Sequence, residues 1–250
     1  MTAPELVETT YPVDGGQLLV VPGVARSDAP VVLLLHGAGS GTDTPVLRRL
    51  AGLLGAAGVT VGRLEMPYRV AGRRAPDRPA RLDAVLTAAV AALGRDLSGT
   101  RPSVNQAGGP DRLALAGASM GSRVAVRTAH AVGARGVVAL GFPLTPPGAR
   151  PSRQPELDGA GVPVLVVQGE RDAFGRPAAD PAAHREVIVV AGADHSFKVR
   201  VKDGRSGADV VDEAAGHAAA WLLAQLGPPP AVAAGHGNRF GDRFGNRRVG

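Results

Sequence analysis

Leu115-Ala116-Gly117-Ala118-Ser119-Met120-Gly121 carries the first strong structural signal in this chain. It closes an apolar run, Arg112 to Ala116, and opens a stretch of helical period, Gly121 to Val132. Glycines two places either side of Ser119 are what a strand needs to turn at once into a helix, because side chains there would collide. Such a turn pushes the serine hydroxyl out at the carboxyl edge of a parallel sheet, where open α/β sheets place their ligands. The Met120 amide, at the start of the helix, points into the same space. A plainer reading makes the glycines a tight βα turn and Ser119 only a helix N-cap.

Outward from this turn the same alternation repeats. Val31-Val32-Leu33-Leu34-Leu35 is a continuous apolar run, as a strand buried on both faces should read. Helical spacing follows from Thr44 to Ala57, a strand from Val59 to Met66, and a second helical stretch from Arg81 to Leu93. Val137 to Leu140, Val162 to Val167 and Glu186 to Val190 read as further strands, and Val210 to Leu226 as the closing helix. Alternation of this kind predicts an α/β fold, a mostly parallel central sheet with helices on both faces. Glu5 to Val21 has a weaker period of two and is expected to add an antiparallel edge hairpin. Only Gly141 to Gly161, proline-rich and without amphipathic period, lies where a lid would be inserted, so no sizeable lid domain is expected.

A hydrophobic content of 44% supports a buried core, and the absence of cysteine excludes disulfides, thiolate metal sites and a cysteine nucleophile. The net charge of +6 is unevenly placed. Residues 227–250 hold Arg239, Arg243, Arg247 and Arg248 against Asp242, which leaves +3 on the first 226 residues. Gly227-Pro228-Pro229-Pro230 stops the last helix, and the Gly/Arg repeats beyond it cannot bury enough apolar surface to order. The chain is therefore expected to be one domain over 1–226 with a disordered tail over 227–250. No basic, apolar leader opens it and no apolar run approaches the ~20 residues a membrane span needs, so a cytoplasmic location and no membrane partner are expected. A nucleic-acid partner would have to use the tail; eight aromatics are too few for base-stacking platforms.

Serine is a weak nucleophile and needs a base, itself oriented by an acid. Of the six histidines, His195 lies in Gly192-Ala193-Asp194-His195-Ser196-Phe197, just past the last strand. Asp172, in Gln168-Gly169-Glu170-Arg171-Asp172, lies just past the strand before it. The chain order Ser119, Asp172, His195 is that of the nucleophile-elbow hydrolases. Donors for an oxyanion are expected from the Met120 amide and from Ala38 in His36-Gly37-Ala38-Gly39-Ser40-Gly41, each worth up to ~3 kcal/mol in the transition state. The glycines of that second turn lack both the dinucleotide spacing and a following lysine, so a phosphate loop does not fit. No dense ligand set forms around His36 or His195, so neither a metal nor a cofactor is expected.

His36-Gly37, Gly117-x-Ser119-x-Gly121, Arg171-Asp172 and Asp194-His195-Ser196-Phe197 together resemble the α/β-hydrolase superfamily. Gly117 to Arg123, Pro67-Tyr68 and Gln168 to Gly175 are similar to its compact dienelactone-hydrolase-like branch, with the predicted hydrolases related to Tex30 and to the KAT8 regulatory NSL complex subunit 3. The resemblance spans roughly residues 25–226. It implies Ser119 as nucleophile, His195 as base and Asp172 as orienting acid, acting on a small or accessible ester or thioester. Dienelactone hydrolases proper use cysteine, so their own substrate is not implied. Some relatives serve as scaffolds, which leaves a non-catalytic interaction module as the alternative. Tyr68, Phe142, Phe174 and Phe197 are the expected apolar lining for a small-molecule substrate. Arg69, Arg73, Arg74, Arg78 and Arg81 form either a solvated loop or a patch facing an anionic substrate.

Overall fold

The computed structural model describes residues 8–23, 29–95, 104–106, 108–148 and 150–227. Apart from Gly227, the segment expected to be a disordered tail lies outside the described residues. The strands are β1 (Thr9–Val13), β2 (Gly16–Val21), β3 (Val31–Leu35), β4 (Thr60–Glu65), β5 (Leu113–Ala118), β6 (Val137–Leu140), β7 (Val164–Gly169) and β8 (Arg185–Val190). They form one sheet in the order β1-β2-β4-β3-β5-β6-β7-β8. β3 to β8 pair in parallel, while β1 and β2 make the expected antiparallel hairpin at one edge. This is the mostly parallel α/β sheet that the alternating pattern predicts.

The helices are α1 (Pro45–Ala56), α2 (Pro67–Val70), α3 (Pro79–Gly94), α4 (Met120–Thr128), α5 (Gln154–Asp158) and α6 (Gly207–Leu226). β3 explains how they are distributed. All five of its residues are buried, and successive side chains point to opposite faces. Val31, Leu33 and Leu35 enter a core shared with Leu82, Val85 and Leu86 of α3 and Val124 of α4. Val32 and Leu34 enter a second core with Leu47, Leu50 and Leu54 of α1 and Ala214, Ala218 and Leu222 of α6. Proline stands in the first turn of both α1 and α3, where its missing amide leaves no intrahelical bond unmade. At the far end of α6, the Arg112 guanidinium donates to the carbonyls of Leu226 (2.7 and 3.0 Å) and Gly227 (2.7 Å), filling acceptors the helix leaves open.

Two short helices depart from the expectation. α2 begins at Pro67 and turns the chain immediately after β4, and α5 stands inside the proline-rich segment read as irregular. Five residues are too few for an apolar period, so α5 leaves no helical signature in the sequence. Among its described residues the segment still carries no helical cap large enough to cover the sheet edge.

Candidate active site

The loops that follow β3, β5, β7 and β8 meet at the carboxyl edge of the sheet. Ser119 sits between β5 and α4 with φ 50° and ψ −110°, a left-handed backbone that an L-residue holds only under strain. The flanking glycines make the turn possible. A Cβ at Gly117 would lie 2.3 Å from the Gly121 carbonyl, and one at Gly121 would lie 2.6 Å from the Leu35 carbonyl oxygen. Although Ser119 occupies the N-cap position, its side chain accepts nothing from the helix. Its Oγ lies 2.8 Å from His195 Nε2.

His195 is held from the other side. Its Nδ1 is 2.8 Å from Asp172 Oδ2, and the carboxylate is 1% exposed. With the carboxylate accepting from Nδ1–H, Nε2 carries the lone pair that faces the serine hydroxyl. Asp172 accepts two further hydrogen bonds: the Phe174 amide on Oδ1 at 2.9 Å, and the Gln168 amide nitrogen on Oδ2 at 2.7 Å. The Phe174 ring lies against the imidazole, with centroids 4.4 Å apart. The structure thus brings Ser119, His195 and Asp172 into one hydrogen-bonded chain.

Ala38 and Met120 border the same point. A Cβ added to Gly37 would come within 3.5 Å of Ser119 Cβ, which measures how closely the two glycine turns approach. Among the described residues neither the Ala38 nor the Met120 amide has a hydrogen-bond acceptor. Two anchors set the Ala38 loop. His36 is fully buried, donates from Nδ1 to the Gly37 carbonyl (2.8 Å) and accepts the Met66 amide on Nε2 (3.1 Å). Burial pushes its pKa below 6.5, against the smaller opposing effect of the Gly37 carbonyl, so it stays neutral and can accept. The Tyr68 hydroxyl donates to the Ala38 carbonyl at 2.8 Å, and burial raises its pKa to about 12.

The expected lining is corrected at two positions. Phe174 and Phe197 do line the cavity above Ser119, about 390 Å³ in volume, together with His195 and Thr44. Tyr68 and Phe142 are fully buried and form part of the core beneath it. With so few aromatics, the closed interior claims these rings before the open cavity does.

The sequence reading also missed Gln168. Its side chain is fully buried, accepts the Phe142 amide on Oε1 (2.9 Å), and donates to Asp172 and to the Gly175 (2.8 Å) and Phe142 (3.1 Å) carbonyls. The available signal was a single polar residue closing the apolar run of β7. A second cavity of about 340 Å³ meets Ser119 on its Met120 side, and its cations are Arg123, Arg127 and Arg153. None of the five arginines between 69 and 81 lines it; Arg73 pairs with Asp77 (2.7 Å) and Arg81 with Asp14 (2.6 Å).

Among the described residues no group of three or more His, Cys, Asp and Glu side chains is placed to hold a metal, and no helix is long and apolar enough to cross a membrane.

Comparison with known proteins agrees with this architecture. No curated protein matches the sequence. A dienelactone hydrolase from Anabaena variabilis superposes with a TM-score of 0.61 at 19% identity, covering 87% of this chain and 98% of its own. A serine hydrolase without lid from Xanthomonas campestris gives 0.59 at 20% identity, covering 86% and 95%. A putative α/β hydrolase from Agrobacterium tumefaciens gives 0.62 at 18% identity, covering 90% and 99%. At such identities these likenesses speak for the fold. The family model described as an alpha/beta hydrolase domain matches residues 28–223, most of the chain, and on that match the protein belongs to the α/β-hydrolase family.

Proposed function

We propose that this α/β hydrolase cleaves a small or accessible ester or thioester through an acyl-enzyme on Ser119. The observation that carries the reading is the continuous pair of 2.8 Å contacts, Ser119 Oγ to His195 Nε2 and His195 Nδ1 to Asp172 Oδ2. His195 removes the hydroxyl proton as Oγ bonds to the acyl carbon. The carbonyl π electrons move onto oxygen, where the unpaired Ala38 and Met120 amides receive the negative charge. Collapse of that adduct breaks the bond to the leaving group, which takes the proton from His195. Water then attacks the acyl-enzyme by the same route, its proton passing through His195 to Ser119 Oγ. Asp172, held by three donors, fixes the imidazole in the tautomer this cycle needs. On its sequence motifs we place the chain in the dienelactone-hydrolase-like branch beside the relatives of Tex30.

An interaction module without chemistry would have no use for strained backbone at Ser119, nor for amides left without acceptors beside it. The test is incubation with a fluorophosphonate followed by intact-mass measurement. One adduct is expected on the native chain and none on Ser119→Ala. An unmodified native chain, or an adduct that persists in the variant, overturns the assignment.

A further inference from the structure

Ser119 stands at the seam of two cavities that share Ala38, Ser119 and Phe174. They are not chemically equivalent. His195 lines only the first, and His195 must hand its proton to the leaving group, so the leaving group departs through that side. The acyl chain is left with the second cavity, behind Met120.

The near wall of this second cavity is apolar, with Met120, Leu82 and Pro143, and its far wall is cationic. The three arginines there are differently employed. Arg123 is committed to Glu156 through Nε (2.8 Å) and Nη2 (2.5 Å). Arg127 is committed to Asp83 through Nε (3.0 Å) and Nη2 (2.6 Å), and its Nη1 reaches Glu156 at 3.4 Å. Asp77, also in the wall, pairs with Arg73 through Oδ1 (2.7 Å), while its buried Oδ2 meets no donor among the described residues. Arg153, the residue before α5, meets no carboxylate within 4.0 Å among the described residues; the one bond of its guanidinium there is from Nη1 to the Pro143 carbonyl at 2.8 Å. Burial, and then the charges of Arg123, Arg150 and Arg127 against that of Glu156, hold its guanidinium below the usual range. Cations therefore outnumber carboxylates by one, and the surplus one, Arg153, lines the cavity with Nε and Nη2 making no hydrogen bond to protein among the described residues.

We infer that this cavity is the acyl subsite and that Arg153 receives a carboxylate at the far end of the acyl chain, so that the enzyme favours esters or thioesters of short dicarboxylic acids over their uncharged counterparts. The inference deepens the hydrolase reading and rests on it for the direction in which the leaving group departs. A guanidinium fork is the group best suited to bind a carboxylate by two parallel bonds. The apolar wall between Ser119 and Arg153 suits the methylene chain that joins the two ends.

The test compares p-nitrophenyl hexanoate with mono-p-nitrophenyl adipate, which have equal chain length and the same leaving group. The native enzyme is expected to prefer adipate in kcat/KM by about tenfold to a hundredfold, the range for a hydrogen bond to a charged group. In Arg153→Gln the ratio should fall towards one, in Arg153→Lys it should be partly kept, and thermal melting reports whether each variant folds. Binding of adipate itself, followed by ligand-observed NMR, supplies a readout that needs no turnover. Turnover without preference for adipate, or a preference that survives Arg153→Gln, overturns the inference. If neither ester is cleaved, binding decides. Adipate bound by the native chain and lost in Arg153→Gln upholds the subsite while the hydrolase reading fails. No Arg153-dependent binding overturns the subsite as well.

Discussion

Replacing Gln168 by leucine tests how the candidate triad is held, because this side chain touches Asp172 and never the substrate. Its amide has two hydrogens and faces three oxygens, of which Asp172 Oδ2 (2.7 Å) and the Gly175 carbonyl (2.8 Å) are the nearer. Oε1 meanwhile takes the Phe142 amide, and that pairing fixes which way the group is turned. Leucine has similar bulk and none of these bonds. It forfeits a hydrogen bond to a buried carboxylate, worth about 1.5–3 kcal/mol, and strands the Phe142 N–H at a further ~1–3 kcal/mol. Together these come to about 2.5–6 kcal/mol, a fall in Tm of roughly 5–24 °C for a chain of this size. The second effect is on rate. Asp172 keeps two donors of three, and the looser carboxylate should lower kcat by about tenfold to a hundredfold, the scale on which small displacements of catalytic groups act. Calorimetry and the rate of fluorophosphonate labelling measure the two effects on one sample. Gln168→Glu supplies the control. Its added carboxyl lies against Asp172, so burial and that neighbour raise its pKa, and the variant should regain stability as pH falls. A leucine variant that melts within about 1 °C of the native chain and labels at the native rate would refute the reasoning.

Three further outcomes follow from the same geometry. Tyr68→Phe removes the hydroxyl that holds the Ala38 carbonyl, and kcat should fall about threefold to tenfold with little change in KM, as steady-state kinetics would read. Gly121→Ala drives a Cβ to within 2.6 Å of the Leu35 carbonyl oxygen, which cannot yield without moving β3; expression and calorimetry should show a chain destabilised by several kcal/mol, roughly 3 or more. Because the buried His36 has its pKa below 6.5, the unfolded chain binds a proton that the folded chain refuses, so stability should decline as pH falls below 6.5. Glu156 adds its own loss only below 4.5: burial raises its pKa, but the Arg123 hydrogen bond and the charges of Arg123, Arg127 and Arg153 more than reverse that. The pH dependence of Tm in His36→Gln should therefore be flatter than in the native chain below 6.5, while the loss that Glu156 contributes below 4.5 remains.

Most of the sheet was legible because parallel strands buried on both faces leave unbroken apolar runs, of which β3 and β7 are the clearest. The residues that meet around Ser119 were legible for a related reason. Each follows a strand that could be recognised, and strands in one parallel sheet deliver their following loops to one edge. What escaped was decided by closure between distant loops. Tyr68 and Phe142 carry no mark distinguishing a ring that floors the site from one that lines it; their burial depends on how α2 and the loop after β6 fold under the Ala38 turn. The arginines of 69–81 formed the visible cluster in sequence. The cations at the cavity instead come from α4, where Arg123 and Arg127 share Glu156, and from Arg153 just before α5, thirty positions beyond Arg123. Gln168 read as one polar letter at the end of a strand, and its importance lies wholly in the four groups that the fold brings around it.

The backbone at Ser119 has a consequence for how such a protein drifts. A left-handed conformation on a serine costs about 1–3 kcal/mol, and glycine would relieve it at once. Ser119→Gly returns about 0.4–1 kcal/mol of that gain to the freer unfolded chain, and should melt no lower than the native chain while giving no adduct with a fluorophosphonate. Stability and reactivity thus pull this one codon in opposite directions. A lineage released from any demand for turnover would gain by exchanging the serine, so the residue found there is the one that thermal fitness alone would discard.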